Sequence, residues 1–289
     1  MPKAKEVHFF PGHMAKALRE MEGYLKVIDL VVEILDSRAP ASSENPLLRG
    51  KLQNKATLHL LSKSDYSDPA VTELWLKHYA AIGEKAISGN LKKANFLALL
   101  RQASNDLLTK KREKEKRFGM KPQPVRVMVV GIPNVGKSTL INNLRGKKIA
   151  AVGNKAGVTR SEQWIKLSED FLLLDTPGVL PMNYPDKSQA VRLALLGSMR
   201  EDVLPTHDLA LALLDYLEAN YPNCLQQRFG IEDISCEEKN AVLEKIAAKR
   251  GLLENGEPSL EKASYLLIKE FKDGLLGRIS LERPKEDAR

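Results

Sequence analysis

The stretch Gly131-Ile132-Pro133-Asn134-Val135-Gly136-Lys137-Ser138-Thr139 fits G-x-x-x-x-G-K-[ST], and the segments on either side agree with it. An apolar, β-branched run from Val125 to Val130 leads in, and Thr139-Leu140-Ile141 leads out as the start of a helix. Glycines in such a loop let successive backbone N–H groups turn toward phosphate oxygens. Lys137 adds a mobile cation, and Ser138 offers a hydroxyl to Mg2+. Contacts to a nucleoside triphosphate are therefore expected from Asn134, Val135, Gly136, Lys137, Ser138 and Thr139. A plain glycine turn is the alternative, and it leaves the joint agreement of the motif and both flanks unexplained.

Two further positions after this loop extend the expectation. Ser161 to Leu167 and Asp170 to Asp175 read as two strands meeting at Ser168-Glu169 in a tight hairpin, and Asp175-Thr176-Pro177-Gly178 closes the second, with Asp175 38 residues beyond Lys137. A carboxylate there suits Mg2+, held through water, with the Gly178 N–H meeting the γ-phosphate. Thr159, between the two, has a hydroxyl that can close the Mg2+ shell; a simple loop threonine is the other reading.

The base-side elements come earlier in the chain. Val27 to Asp36 reads as a buried strand, followed by the loop Ser37-Arg38-Ala39-Pro40. Thr57 to Leu61 is a short strand that runs into Ser62-Lys63-Ser64-Asp65. Lys63-x-Asp65 resembles the N-K-x-D guanine reader, whose carboxylate accepts from the ring N1–H and the exocyclic amine. Adenine offers neither donor, so the same carboxylate repels it. Ser62 stands where Asn is usual, which puts in question the bracing between this loop and the phosphate loop. Asn54-Lys55 also begins N-K, but it precedes the strand and Thr57 cannot carry the charge. Ser88-Gly89, after the strand Lys85 to Ser88, is read as the second base-side loop, with a plain turn as its alternative.

These base-side segments precede the phosphate loop by about seventy residues, whereas in an ordinary GTPase they follow it. Circular permutation of one sheet accounts for the order, and strands alternating with helices imply a parallel sheet wrapped by helices. A helix beginning at Asp68-Pro69 runs to about Ile82, another spans Leu91 to Leu108, and a third runs from Lys187 to Met199. Thr109 to Pro124, rich in lysine and closed by two prolines, reads as a basic linker, with a helix at its start as an option, that either contacts a nucleic-acid backbone or is simply solvated. Beyond Leu204 only helical spacing remains, over 208–219, 236–249 and 259–274. The expected division is a permuted domain over 1–204, with an N-terminal docking segment over 1–26, and an all-helical domain over 205–289.

Composition bounds the partners. A hydrophobic share of 43% and a charged share of 28% suit a soluble protein, and the net charge of +8 is uneven. Residues from 205 onward hold 12 Lys+Arg against 16 Asp+Glu, leaving 33 against 21 upstream. A polyanion such as RNA fits that basic upstream region; in the acidic tail it requires a local face, with Arg228, Lys245, Lys249 and Arg250 as candidates. The N-terminus resembles neither a signal nor a transit peptide, nothing reads as a membrane span, and a cytoplasmic monomer is expected. Cys224 and Cys236 have no ligand cluster near them, so reduced thiols are expected.

With these motifs in hand, the chain resembles the circularly permuted ribosome-assembly GTPases. The residues that carry the resemblance are the permuted order, Phe10-Pro11-Gly12-His13-Met14, the phosphate loop, Asp175-Thr176-Pro177-Gly178, and Tyr221-Pro222 with Arg228-Phe229-Gly230 in the tail. The resemblance implies an α/β P-loop GTPase sheet with a C-terminal all-helical domain, in a protein that hydrolyses GTP to GDP and phosphate, binds a late precursor of the large ribosomal subunit, contacts its rRNA and leaves after hydrolysis. It also implies a catalytic role for His13, because Val179 occupies the place of the glutamine that orients water in many GTPases. It further implies a K+ supported by Asn134. The alternative is a GTP-dependent RNA or ribosome-binding module with negligible hydrolysis.

Overall fold

In a computed structural model, which describes residues 22–52, 54–93, 95–145, 164–174, 186–199, 204–232 and 237–285, the sheet begins with β1 (Leu30–Asp36), buried at every position. Helices α1 (Pro40–Ser43) and α2 (Pro46–Leu52) lead to β2 (Ala56–Ser62), α3 (Pro69–Ala81) and β3 (Lys85–Gly89). α3 starts as its sequence predicts: the Asp68 carboxylate accepts from the N–H groups of Ala70 and Val71, and Pro69 takes the first position. The predicted helix 91–108 is α4 (Phe96–Leu107). The basic run continues as α5 (Thr109–Arg117), with Lys111 paired to Asp29 and Arg112 to Glu115.

Next come β4 (Val125–Val130), α6 (Lys137–Arg145) and the hairpin β5 (Trp164–Ser168) to β6 (Phe171–Leu174). The hairpin turns at Glu169-Asp170, one residue later than the sequence predicts, because the ladder carries an irregularity between Lys166 and Ser168. The strand order is β3-β2-β1-β4-β6-β5, parallel throughout except for β5. Parallel pairing puts the carboxyl ends of β1, β2, β3 and β4, at Asp36, Ser62, Gly89 and Val130, on one edge of the sheet.

The rest is helical: α7 (Lys187–Leu195), α8 (Thr206–Asn220), α9 (Cys224–Phe229), α10 (Lys239–Arg250) and α11 (Leu260–Lys272). A two-residue ribbon, β7 (Leu253–Glu254) with β8 (Glu257–Pro258), separates the last two helices. α9 and this ribbon are too short for a periodicity to reveal. On one face of the sheet Val32, Ile34, Val127 and Val129 belong to a buried apolar set that continues through Leu193 and Leu213 to Leu267 and Phe271. Burial of each such side chain contributes about 1.5–3 kcal/mol. Among the described residues no helix is long and apolar enough to cross a membrane.

The opposite face holds a polar group among apolar neighbours. Glu33 of β1 sits in register with His59 of β2. The imidazole lies 3.3 Å from the Glu33 carboxylate and 3.0 Å from that of Glu84, and stacks on Tyr79 at 4.8 Å. Burial works against a charge on His59, but the adjoining Glu33 and the further charges of Glu84 and Glu44 outweigh it and raise its pKa above 6.5. A raised folded-state pKa gives stability that is fully present below pH 6.5 and is lost as pH rises through the folded value. His59→Gln should therefore cost about 1–3 kcal/mol at low pH and progressively less as pH rises, checked by denaturant unfolding of both proteins across that range.

Candidate nucleotide site

Three loops meet at the carboxyl edge of the sheet. The phosphate loop, 131–136, leaves β4 and enters α6. Asn134 holds φ 62°, in the left-handed region that few residues other than glycine adopt, and its amide donates to the Gly197 carbonyl at 2.6 Å. The Lys137 ammonium folds back to the carbonyls of Gly131 at 3.0 Å and Ile132 at 2.6 Å. Burial alone draws its pKa down to about 8, and among the described residues no carboxylate pairs with it. A half-buried cation with only carbonyl partners, at the N-terminus of a helix, suits an anion. Ser138 stands exposed in the first turn of that helix, and Thr139 is half-buried beside it.

The base side is joined to this loop by Ser62. Its buried hydroxyl lies 2.6 Å from the Val135 carbonyl and 2.9 Å from that of Leu35, and its single proton serves one of them at a time. The bracing that a serine here puts in question is thus present. β1 and β2 stay in register to Asp36 and Ser62, so a short side chain at the strand end reaches the loop. Lys63 follows at φ 54°, a second left-handed residue, with its ammonium 2.8 Å from the Asp36 carboxylate. Strain of this kind persists where surrounding contacts over-determine it.

Asp65 is exposed at the tip, and its carboxylate accepts from the Asn90 amide at 2.8 Å. Ser88 and Gly89 end β3 in register with Leu61 and Ser62, so both base-side loops are adjacent. Leu91 ties the second to the phosphate loop. A Cβ on Gly136, where φ is 108°, would come within 2.6 Å of the Leu91 side chain, and the Leu91 carbonyl accepts from Asn143 at 2.9 Å. By contrast Lys55, in the dismissed N-K pair, donates to Ile28 at the other end of β2. His13, Thr159, Asp175, Gly178 and Val179 lie outside the described residues. Sequence reasoning missed Asn90, an amide directly after the strand that ends in Gly89, and the buried pair of Asp36 and Arg38.

Arg38 is the larger omission. Its guanidinium, 1% exposed, binds Asp36 twice, at 2.9 Å and 2.8 Å, and the buried carboxylate also takes Lys63. Burial opposes the charge of Asp36, yet Arg38 and Lys63 together hold its carboxyl well below the usual range. Asp-x-Arg at the end of an apolar strand is the signal that could have found this pair.

A phosphate loop on a central strand, a K-x-D loop two strands away on the same edge, a serine joining them, and a chain that builds the base side first define a circularly permuted P-loop GTPase fold. Residues 126–248 match the family described as 50S ribosome-binding GTPase. Ribosome biogenesis GTPase A of Bacillus licheniformis is 40% identical over 281 residues, covering 97% of this chain and 99% of that protein. The Bacillus pumilus protein of the same name is 38% identical over 280 residues, covering 96% of this chain and 99% of its own length. A crystal structure of GNP-bound YlqF from T. maritima superposes with a TM-score of 0.66 at 28% identity, covering 94% of this chain and 99% of that one. The chain belongs to the ribosome biogenesis GTPase A family.

Ser62→Ala removes the bridge and leaves the Val135 carbonyl without that partner. The expected result is a loss of about 1 kcal/mol of stability, with weaker GDP binding, measured by unfolding and by nucleotide titration.

Proposed function

We infer that this chain is a GTP-hydrolysing switch in late assembly of the large ribosomal subunit, which binds precursor particles and their rRNA in the GTP form and leaves after hydrolysis. The single observation that carries the nucleotide half of this reading is the Ser62 to Val135 hydrogen bond, which couples the K-x-D loop to a phosphate loop whose lysine has no counter-charge among the described residues. Asp65, with Ser62, Lys63, Ser88, Gly89 and Asn90 around it, would read guanine. Asn134 to Thr139 and Gly178 would hold the phosphates. When bound, Mg2+ would neutralise phosphate charge; Ser138, exposed beside Lys137, fits that role, with Asp175 and Thr159 as its partners. Residues 205–289 would be the arm that follows the nucleotide state.

The RNA half rests on family membership and on charge placement. Arg228 and Arg250 are committed to Glu270, and Lys245 to Glu237, so that face of the helices offers little free charge. Around the end of α5 the balance differs. Phe118 and Met120 are 62% and 50% exposed, Arg117 lies over the Phe118 ring, and among the described residues no carboxylate pairs with Lys114, Lys116 or Lys121. A turn with exposed apolar side chains among unpaired cations supports contact with RNA by stacking and phosphate pairing.

Val179 cannot align water, so unaided hydrolysis is expected to be slow, with His13 brought into place on the particle. Full activation of about 10⁵-fold corresponds to roughly 7 kcal/mol of barrier. Multiple-turnover GTP hydrolysis with and without large-subunit precursor particles tests this: particles should stimulate the rate, and His13→Ala should lose the stimulated rate alone. Absence of stimulation, with GTP-dependent binding retained, would favour the second reading, a binding module, to which Val179 lends weight. Replacing K+ by Na+ should slow turnover severalfold if Asn134 supports a cation between the phosphates; equal rates in the two salts would remove that role.

A further inference from the structure

The segment after α11 runs along the loop that carries Lys63 and Asp65. The Arg278 guanidinium donates through Nη2 to the Ser64 carbonyl at 2.7 Å and through Nε to the Ser67 carbonyl at 2.8 Å, clasping both sides of the loop tip. The Ile279 N–H donates to the Tyr66 carbonyl at 2.9 Å. The Ser280 hydroxyl accepts from the Asp68 N–H at 3.2 Å, and the Tyr221 hydroxyl reaches the Asp68 carboxylate at 3.3 Å. Gly274, at φ 73°, packs so closely on Tyr66 that a Cβ would come within 2.7 Å of the ring. The segment is anchored further along, where the Leu281 N–H donates to the Arg38 carbonyl at 2.6 Å and the Glu282 carboxylate takes both the N–H and the hydroxyl of Ser42.

A second connection lies beneath the first. Arg38, which holds Asp36 and through it Lys63, also donates to the carbonyls of Phe271 at 3.4 Å and Lys272 at 3.5 Å, where α11 ends. Its guanidinium lies 5.2 Å from the Phe271 ring centre and 5.8 Å from that of Tyr66. Asp65 is exposed, and Asn90 is its hydrogen-bond partner among the described residues. The direction of its carboxylate is therefore set largely by the backbone from Ser64 to Ser67. That backbone is held by residues 278 and 279.

We propose that residues 274–282 form a strap that positions Asp65 against the guanine base, with Arg278 as the positioning residue, so that displacement of the C-terminal helices loosens the base end of the site and leaves the phosphate end intact. The inference rests on Asp65 reading guanine. A charged donor shared between two carbonyls fixes a loop more firmly than two neutral bonds, and the main chain it fixes carries the base reader. One mechanical consequence is that a partner which pulls on α8 to α11 accelerates nucleotide release through the base, in addition to any effect of the γ-phosphate.

The full-length chain supports a direct test through the affinities of GDP and of inosine diphosphate, which lacks the 2-amino group. Their ratio reads the geometry at Asp65 and is insensitive to the phosphate end. Arg278→Ala should weaken GDP by about tenfold and bring the two affinities together, while Arg278→Lys recovers part of the difference. Lys262→Ala, in α11 and donating to the Leu253 carbonyl, should leave the ratio unchanged. If Arg278→Ala does not fold, the ratio is read on Arg278→Gln. A folded Arg278 variant that keeps the wild-type ratio, or that loses both nucleotides equally, overturns the strap. Asp65→Asn separates the two levels of inference. If it fails to shift preference toward xanthine nucleotides, the base reader itself is misassigned; if it shifts and the Arg278 variants do not change the ratio, only the strap is wrong.

Discussion

The Asp36 carboxylate, with no exposure to water, is the constraint on which the base side depends. An isolated carboxylate in that place would take up a proton, and it stays charged because Arg38 and Lys63 both reach it. The three groups are mutually dependent. Loss of Arg38 would leave Lys63 as the carboxylate's remaining cation among the described residues, and would release the end of α11 at the same time. Lys63, in a left-handed conformation, pairs with the same ion, so one buried charge ties together the loop from Lys63 to Asp65 and the end of a helix more than two hundred residues away.

The sheet explains why such long-range ties are needed. The base side, β1 to β3, and the phosphate side, β4 to β6, are built from separate stretches whose strands pair along the seam of β1 and β4. Backbone pairing along that seam sets the register of the strands but does not orient the loops at their ends. Side chains do that locally: Ser62 reaches Val135, Leu91 fills the space beside Gly136, and Asn134 reaches Gly197. The last of these connects the phosphate loop to the segment after α7. On the other side of the seam, Arg278 reaches the loop between β2 and α3.

Much of this was legible in the chain before its structure. The phosphate loop declared itself because its function requires particular residues at fixed spacing. The apolar runs of β1 and β4 were recognisable because strands covered on both faces are built mainly from apolar residues, here interrupted by Glu33 in β1 and Arg126 in β4. The Asp68-Pro69 start of α3 was visible because a cap is made by neighbours in sequence. The role of Ser62 was not legible, since a serine in place of asparagine has no fixed meaning until the distance to Val135 is known. α9 was missed because six residues are too few to show a period, whereas the helical start of the basic run, α5, was offered but its end was not fixed, because lysine-rich composition describes a solvated helix and a linker equally well.

By itself, the amino-acid sequence determined the phosphate-loop motif, the permuted order of the elements and the membership that follows from them, because these depend on local spacing and on order along the chain. Only the tertiary structure decided that Asp36, Arg38 and Lys63 share one buried charge cluster, that Asn90 meets Asp65, and that Arg278 grips the loop beside it. Each of those contacts pairs ordinary residues from distant or unremarkable positions, and their meaning comes from burial and hydrogen-bond geometry that exist only once the chain has closed on itself.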